Sequence, residues 1–403
     1  MSAAGMNAAG AKAARAYLDH NASSPLRPEA RAAIVEALDA GGNASSVHGP
    51  GRAARARVER ARGQVAALAG AMARQVTFTS GATEALATVL HPQVEVAGRP
   101  MPCDVLLASA VEHPAVTRGH RFPAGALETI AVGRDGRIDL DALDAALQRH
   151  AGAGRRAMVA LMAANNETGV LQPVTEAARL VHTHDGVLVC DAVQVAGRMP
   201  FHMGTLAVDF LALSAHKLGG PQGIGALIAG HADSRVTPLM TGGGQERGQR
   251  GGTEAVALIA GFGAAAEAAR AGYETGGERE RLAGLRDRME AEIAARIPGA
   301  VVVGSGAARI PNTSLIAFSG AKAETLVIAL DLSYVSVSAG SACASGKVGA
   351  SHVLTAMGVD GDLASGTVRL SLGWSSTEED VARVVDALQK AVPQTGGRPV
   401  RAA

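Results

Sequence analysis

The chain has few cysteines, few aromatics, few lysines and no excess of charge of either sign. Its three cysteines, Cys103, Cys190 and Cys343, lie far apart in 403 residues and form no CxxC pair. That argues against a disulfide framework or a thiolate zinc site and fits a reducing compartment, with the cytoplasm as the expected location. Lys and Arg together number 38 against 37 Asp and Glu, for a formal net charge of +1. Bulk electrostatics therefore favour neither a nucleic acid nor an anionic membrane. The longest uncharged apolar stretch, Ala255 to Ala266, is far short of a bilayer span, and the opening MSAAGMNAAGAKAARA has no apolar core of the kind a secretory signal needs. A soluble protein with a frayed N-terminus is expected, with no nucleic-acid or membrane partner.

The chain is 47% hydrophobic with 50 glycines and only 2% aromatics, a composition for an Ala-rich globular protein with many tight turns rather than a disordered one. Its length suggests two or three domains at roughly 100 to 200 residues each. Pro28 to Ala40 reads as a helix opened by proline and stopped by Gly41-Gly42, and Ala54, Val58, Ala61, Val65 and Leu68 form an apolar stripe at helical spacing. Short apolar runs follow at Gln75 to Thr79, Val105 to Ser109, Ala157 to Met162, Val187 to Asp191 and Asp209 to Ser214. They do not alternate and helical segments separate them, which is the pattern of a parallel sheet buried on both faces, with ligands at the strand C-termini.

The polar stretch Ala271 to Arg281 marks a composition shift that is either a domain boundary or a charged helix start. Beyond it, PNTSLIAF, a Gly/Ser-rich loop at 338–350, a strand Thr367 to Leu372 and a last helix capped by a Ser376/Glu379 box read as a smaller α+β domain. The tail PQTGGRPVRAA reads as disordered. The cluster Arg52, Arg55, Arg57, Arg60 and Arg62 reads as a solvated helix face, and His182, His184 and Asp185 as a helix C-terminus rather than a metal site.

Only five of the 38 cationic residues are lysines: Lys12, Lys217, Lys322, Lys347 and Lys390. Lys217 follows the apolar run DFLALS, at a strand end where an α/β sheet places its ligands. Desolvated there, its amine can lose a proton and form an imine with an aldehyde, as a pyridoxal phosphate (PLP) lysine must. Asp191 closes the strand VLVCD, where a buried carboxylate needs a partner such as a protonated pyridine nitrogen. VTFTS runs into Gly81-Ala82-Thr83-Glu84 and a helix, whose N-H groups and Thr83 hydroxyl suit a phosphate. Cys343, in SAGSACASGKVGAS, sits in a run rich in Gly and Ser; a loop there lets a thiolate reach an active site and an acceptor in turn, although an inert loop thiol is the plain alternative. Cys190 and Cys103 read as buried and structural.

The motifs YLDHNASSP, GNASSVHGPGR, FTSGATEAL, EHPAV, NNETGVLQPV, CDAVQVAGR, SAHKLGGPQGIGAL, GGGQERGQRGGTEA, SAGSACASGKVGASHVL and VRLSLG resemble, in order and spacing, the group I cysteine desulfurases of the NifS/IscS type. These belong to the class V aminotransferase family of PLP enzymes, fold type I. The resemblance implies a large domain (27–275) with a mostly parallel seven-stranded sheet and a smaller α+β domain built from 1–26 and 276–403. It implies Lys217 as the Schiff-base lysine, Asp191 as the pyridinium partner, His113 stacked on the cofactor ring and Gln194 on the ring hydroxyl, with Asn166 beside it.

By the same resemblance Ala82, Thr83, Ser214 and His216 hold the phosphate, joined by Thr253 from a second subunit of a homodimer. Arg369 clamps the substrate carboxylate, for which a bidentate guanidinium is apt. Read physically, His113 could equally be a loop histidine and Arg369 a strand-edge surface residue. The implied reaction turns L-cysteine into L-alanine: Lys217 takes the Cα proton, the Cys343 thiolate attacks the substrate sulfur, and His113 carries a proton. The Cys343 persulfide then serves an iron-sulfur scaffold or other acceptor, in cluster assembly or nitrogenase maturation, and Cys343 itself is a transient iron-sulfur ligand. A selenocysteine lyase or another aminotransferase-family activity is the alternative.

Overall fold

A computed structural model describes residues 15–340 and 351–394. A seven-stranded sheet is built from β1 (Val76–Thr79), β2 (Val105–Ser109), β3 (Leu127–Ile130), β4 (Ala157–Met162), β5 (Val187–Asp191), β6 (Phe210–Ser214) and β7 (Gly225–Ala229). Their order across the sheet is β1-β7-β6-β5-β4-β2-β3. All neighbours pair in parallel except β7, which runs antiparallel to both β1 and β6.

Successive side chains of a strand face opposite sides, and here both sides are dry. Val105, Leu107, Val159 and Leu161 point into one core, while Leu106, Ala108, Met158 and Ala160 point into the other. That double burial is why these strands read as continuous apolar runs. The first core is covered by α1 (Pro28–Ala40), α2 (Gly49–Leu68) and α4 (Val256–Glu274), with α4 lying against the other two. The stripe Ala54, Val58, Ala61, Val65 and Leu68 is the buried face of α2. Gly263 lets α4 come close: a methyl group there would stand 2.6 Å from the Ala61 Cα. The second face carries α3 (Ala82–Val89).

The stretch 271–281 is a helix junction, with α4 ending at Glu274 and α5 (Glu278–Arg296) beginning four residues later. A four-stranded antiparallel sheet follows, of β8 (Ala300–Val302), β9 (Thr313–Phe318), β10 (Ser338–Ala339) and β11 (Thr367–Ser371), in the order β8-β9-β11-β10. It packs with α5 and α6 (Glu378–Gln394) into a further core, which also takes Ala16 and Leu18 from the start of the described chain.

Three local expectations are corrected. The last helix is capped one residue later than the pattern suggested: Thr377 N–H donates to Asp380 (2.9 Å) and Asp380 N–H donates to Thr377 Oγ1 (3.3 Å), whereas Ser376 accepts from Gly373 N–H (2.9 Å). The assumed tail is partly helix, because α6 runs through Pro393 to Gln394; the rest of it lies outside the described residues, as do the first 14 of the 16 residues expected to fray, of which Ala16 is buried. Arg62 is not on a solvated face. It is 2% exposed, fork-bonded to Glu246 at 2.7 and 2.9 Å and stacked over Phe78, because the stripe of α2 is wide enough to bury it. His182 and His184 end a helix as expected, bonded to Asp209 (3.0 Å) and Asp144 (2.9 Å).

Candidate active site

The C-terminal ends of β1, β5 and β6 open on a cavity of about 700 Å³. Lys217, Asp191, His113, Thr83, Gln194 and Arg369 line it, as do Ala82, Asn166, Ser214 and His216. Residues spread over nearly 300 positions are thus brought to one place, as the strand-end rule for parallel sheets requires. Thr253 is exposed and is not part of this wall. Cys343 and Lys347 lie outside the described residues.

Beyond β6 the chain makes a tight turn, Ala215–Lys217, that delivers the lysine side chain into the cavity. Its Nζ donates to the carbonyls of Asn21 (2.7 Å) and Ala22 (2.8 Å). Asp191 ends β5 and accepts from Val193 N–H at 3.0 Å. Burial pushes its carboxyl above the usual range, against the pull of that N–H, His113 and Lys217. His113 caps a short helix, Pro114–Thr117, with Nδ1 accepting from Ala115 N–H at 3.1 Å. Burial lowers its pKa, opposed by Asp191 and assisted by Lys217 and His352. The ring is therefore neutral near pH 7 with its proton on Nε2, a flat apolar face beside a polar edge.

His216 is also held neutral, its pKa lowered to about 4 by burial and by Lys217 and Arg198. Gly225 lets β7 pass directly beneath the Gly81 turn that starts α3; a side chain there would stand 2.7 Å from the Gly81 Cα. Glu84 braces that turn, accepting from Ser80 N–H (2.7 Å) and Arg250 Nε (2.9 Å).

Arg369 is no strand-edge residue. It lies in β11, between β9 and β10, and is 3% exposed. It donates to Asp19 Oδ1 (2.9 Å) and to the Asn166 carbonyl (3.1 Å), while its Nε is buried with no partner among the described residues. Sequence reasoning missed the segment Asp19–Ala22, whose carboxylate and carbonyls hold Arg369 and Lys217. The motif YLDHNASSP was its signal, but no local periodicity says that a segment near the start reaches the far end of the sheet.

These residues fit PLP. Asp191 is a half-buried carboxyl whose desolvation is only partly offset by Val193 N–H, His113 and Lys217, and a protonated pyridine nitrogen would give it a direct cationic partner. Lys217 projects a primary amine into the same space, the neutral His113 ring can face a heterocycle, and the α3 turn offers N–H groups to a phosphate. Fold and cavity together define a PLP-dependent transferase of fold type I.

The comparisons agree. The family model "Aminotransferase class-V" matches residues 16–384. A "Cysteine desulfurase" of Cereibacter sphaeroides is 41% identical over 94% of this chain and 96% of its own. A "Cysteine desulfurase IscS" of Dictyoglomus turgidum is 36% identical over 93% and 94%. Among solved structures, a NifS-like protein from Rickettsia africae matches with a TM-score of 0.81 and 31% identity, covering 94% of this chain and 99% of that one. The chain belongs to the aminotransferase class-V family.

Proposed function

We propose that this protein is a PLP-dependent cysteine desulfurase that converts L-cysteine to L-alanine. The observation that carries the reading is the convergence of Lys217, Asp191, His113 and the buried Arg369 on one cavity, together with relatives of that name over nearly the whole chain. The cofactor, when bound, acts as the electron sink for carbanion chemistry at the substrate Cα. Arg369, already fixed by Asp19, binds the substrate carboxylate through its remaining donors and orients Cα. Lys217 accepts the Cα proton, with the Asn21 and Ala22 carbonyls releasing its amine. His113 serves as the carrier of the proton that the departing carbon skeleton takes up, gaining one before it passes one on.

The Cys343 thiolate attacks the substrate sulfur: an S–S bond forms, the C–S bond breaks, and its electron pair stays with the carbon skeleton, which is protonated and leaves as alanine. Gln194 donates to the cofactor's ring oxygen, and Ala82, Thr83, Ser214 and His216 hold its phosphate. Thr253, exposed and away from the cavity of its own chain, completes that site in a homodimer. The domain division 27–275 against 1–26 with 276–403 belongs to the same reading, supported by the separate apolar cores. So do a cytoplasmic location and a scaffold or other acceptor for the Cys343 sulfur, with transient iron-sulfur ligation by Cys343. No described helix is long and apolar enough to cross a membrane.

The test is mass spectrometry after exposure to L-cysteine, with alanine release measured alongside. Sulfur added at Cys343, and alanine lost in both Lys217→Ala and Cys343→Ala, support the reading. Parental alanine release from Cys343→Ala would instead point to another activity on the same cofactor cage.

A further inference from the structure

Four residues after Gln194, in the run of turns that leaves β5, Arg198 folds its side chain back onto Gln194. Arg198 is 5% exposed. Its partners among the described residues are neutral oxygens: the Gln194 carbonyl (2.7 Å), the Gln194 side-chain Oε1 and the His20 carbonyl (3.2 Å). A guanidinium only donates, so it faces only the acceptor end of an amide; the flipped amide would set N–H against N–H. Gln194 Nε2 is thereby turned away from Arg198. Nε2 lies 3.3 Å from the Asn21 carbonyl and donates one hydrogen to it; Gln194 lines the cavity, where the second N–H is free to serve a bound ligand.

We propose that Arg198 is a positioning residue that locks the Gln194 amide with its N–H end toward the cofactor's ring oxygen. This rests on the assignment of Gln194 to that oxygen under the proposed function. It also accounts for a buried cation that meets no carboxylate among the described residues, an arrangement that is costly unless an anionic group shares its surroundings. The ring oxygen, anionic when deprotonated, is that group, reached through the oriented amide.

The experiment follows cofactor affinity and the pH midpoint at which the bound cofactor's visible band changes, in parent, Arg198→Met, Gln194→Leu and the double variant. In Arg198→Met the midpoint rises by about one pH unit and the cofactor Kd by about tenfold, the worth of one hydrogen bond to a charged group. Arg198→Lys, which still only donates, restores most of both. In the Gln194→Leu background, Arg198→Met adds no further midpoint shift. Should Arg198→Met fail to fold, Arg198→Gln reads the same shift, because an amide there can donate or accept and imposes no orientation. A parental midpoint in the neutral variant, or a full additional shift in the double variant, overturns the inference. A parental chain that binds no PLP overturns the functional reading instead.

Discussion

Asp19 and Arg369, 350 residues apart in the chain, form a 2.9 Å ion pair at the wall of the cavity. Asp19 is itself held by Ser338 Oγ at 2.8 Å, so under the proposed function the guanidinium is fixed in place before a substrate carboxylate arrives. Replacing Asp19 with Ala frees Arg369 without removing it. The expected result is a KM for L-cysteine raised about tenfold with a smaller change in kcat, since the lost order concerns binding more than proton transfer. Steady-state kinetics check this; an unchanged KM would mean that Arg369 needs no brace.

The pair Arg62 and Glu246 is buried, with side chains 3% exposed on both partners. Glu246 also accepts from Phe78 N–H in β1 at 2.9 Å, the strand that leads to the Gly81 turn. Arg62→Met leaves that carboxylate uncompensated in the core and should cost about 3–5 kcal/mol in denaturant unfolding. The double change Arg62→Met with Glu246→Leu should recover part of the loss, because no buried charge then remains.

Glu167 is 3% exposed and accepts from Ser351 Oγ at 2.6 Å. Burial raises its pKa to about 7, with Ser351 and Arg369 pulling it down. The folded protein therefore keeps a proton that the unfolded chain releases near the ordinary glutamate range. Its contribution to stability is largest below that range and declines as pH rises toward 7 and stays lost above it. Glu167→Gln, neutral at every pH, should raise Tm relative to the parent at pH 8 and leave it nearly equal at pH 5. Thermal unfolding at the two values decides.

Cys103 and Cys190 are buried. Burial pushes the Cys103 thiol up to about 12 and the Cys190 thiol well above its usual value. Neither should react with iodoacetamide in the native protein at pH 7.5, and both should be labelled in denaturant. Peptide mapping of native and unfolded samples checks it; native labelling of either would make persulfide assignment by mass alone unsafe.

The double-sided burial of the central sheet was legible in its strands. Val105–Ser109, Ala157–Met162 and Val187–Asp191 occupy the spans their apolar runs indicate, since a strand buried on both faces reads as one unbroken apolar run up to its last residue. Pro28 and Gly41 likewise bound α1 as their backbone preferences demand. The cap of α6 was misplaced by one residue because Ser376 and Thr377 are both good caps, and only the Gly373 N–H, which occupies Ser376 Oγ, decides between them.

What the sequence determined by itself is the set of local elements and the chemistry at the strand ends: the rare lysine after β6, the carboxylate closing β5 and the turn into α3. Those follow from periodicity, backbone preference and side-chain type within a few residues. Tertiary structure alone decided that Asp19 and Asn21 would serve Arg369 and Lys217, that Arg62 would be drawn inside by Glu246, and that Arg198 would meet Gln194 and the His20 carbonyl. Apart from the Gln194 turn, these contacts join segments well over a hundred residues apart. Their partners are chosen by which buried polar groups remain unsatisfied once the sheet and its helices have packed, and no local pattern carries that information.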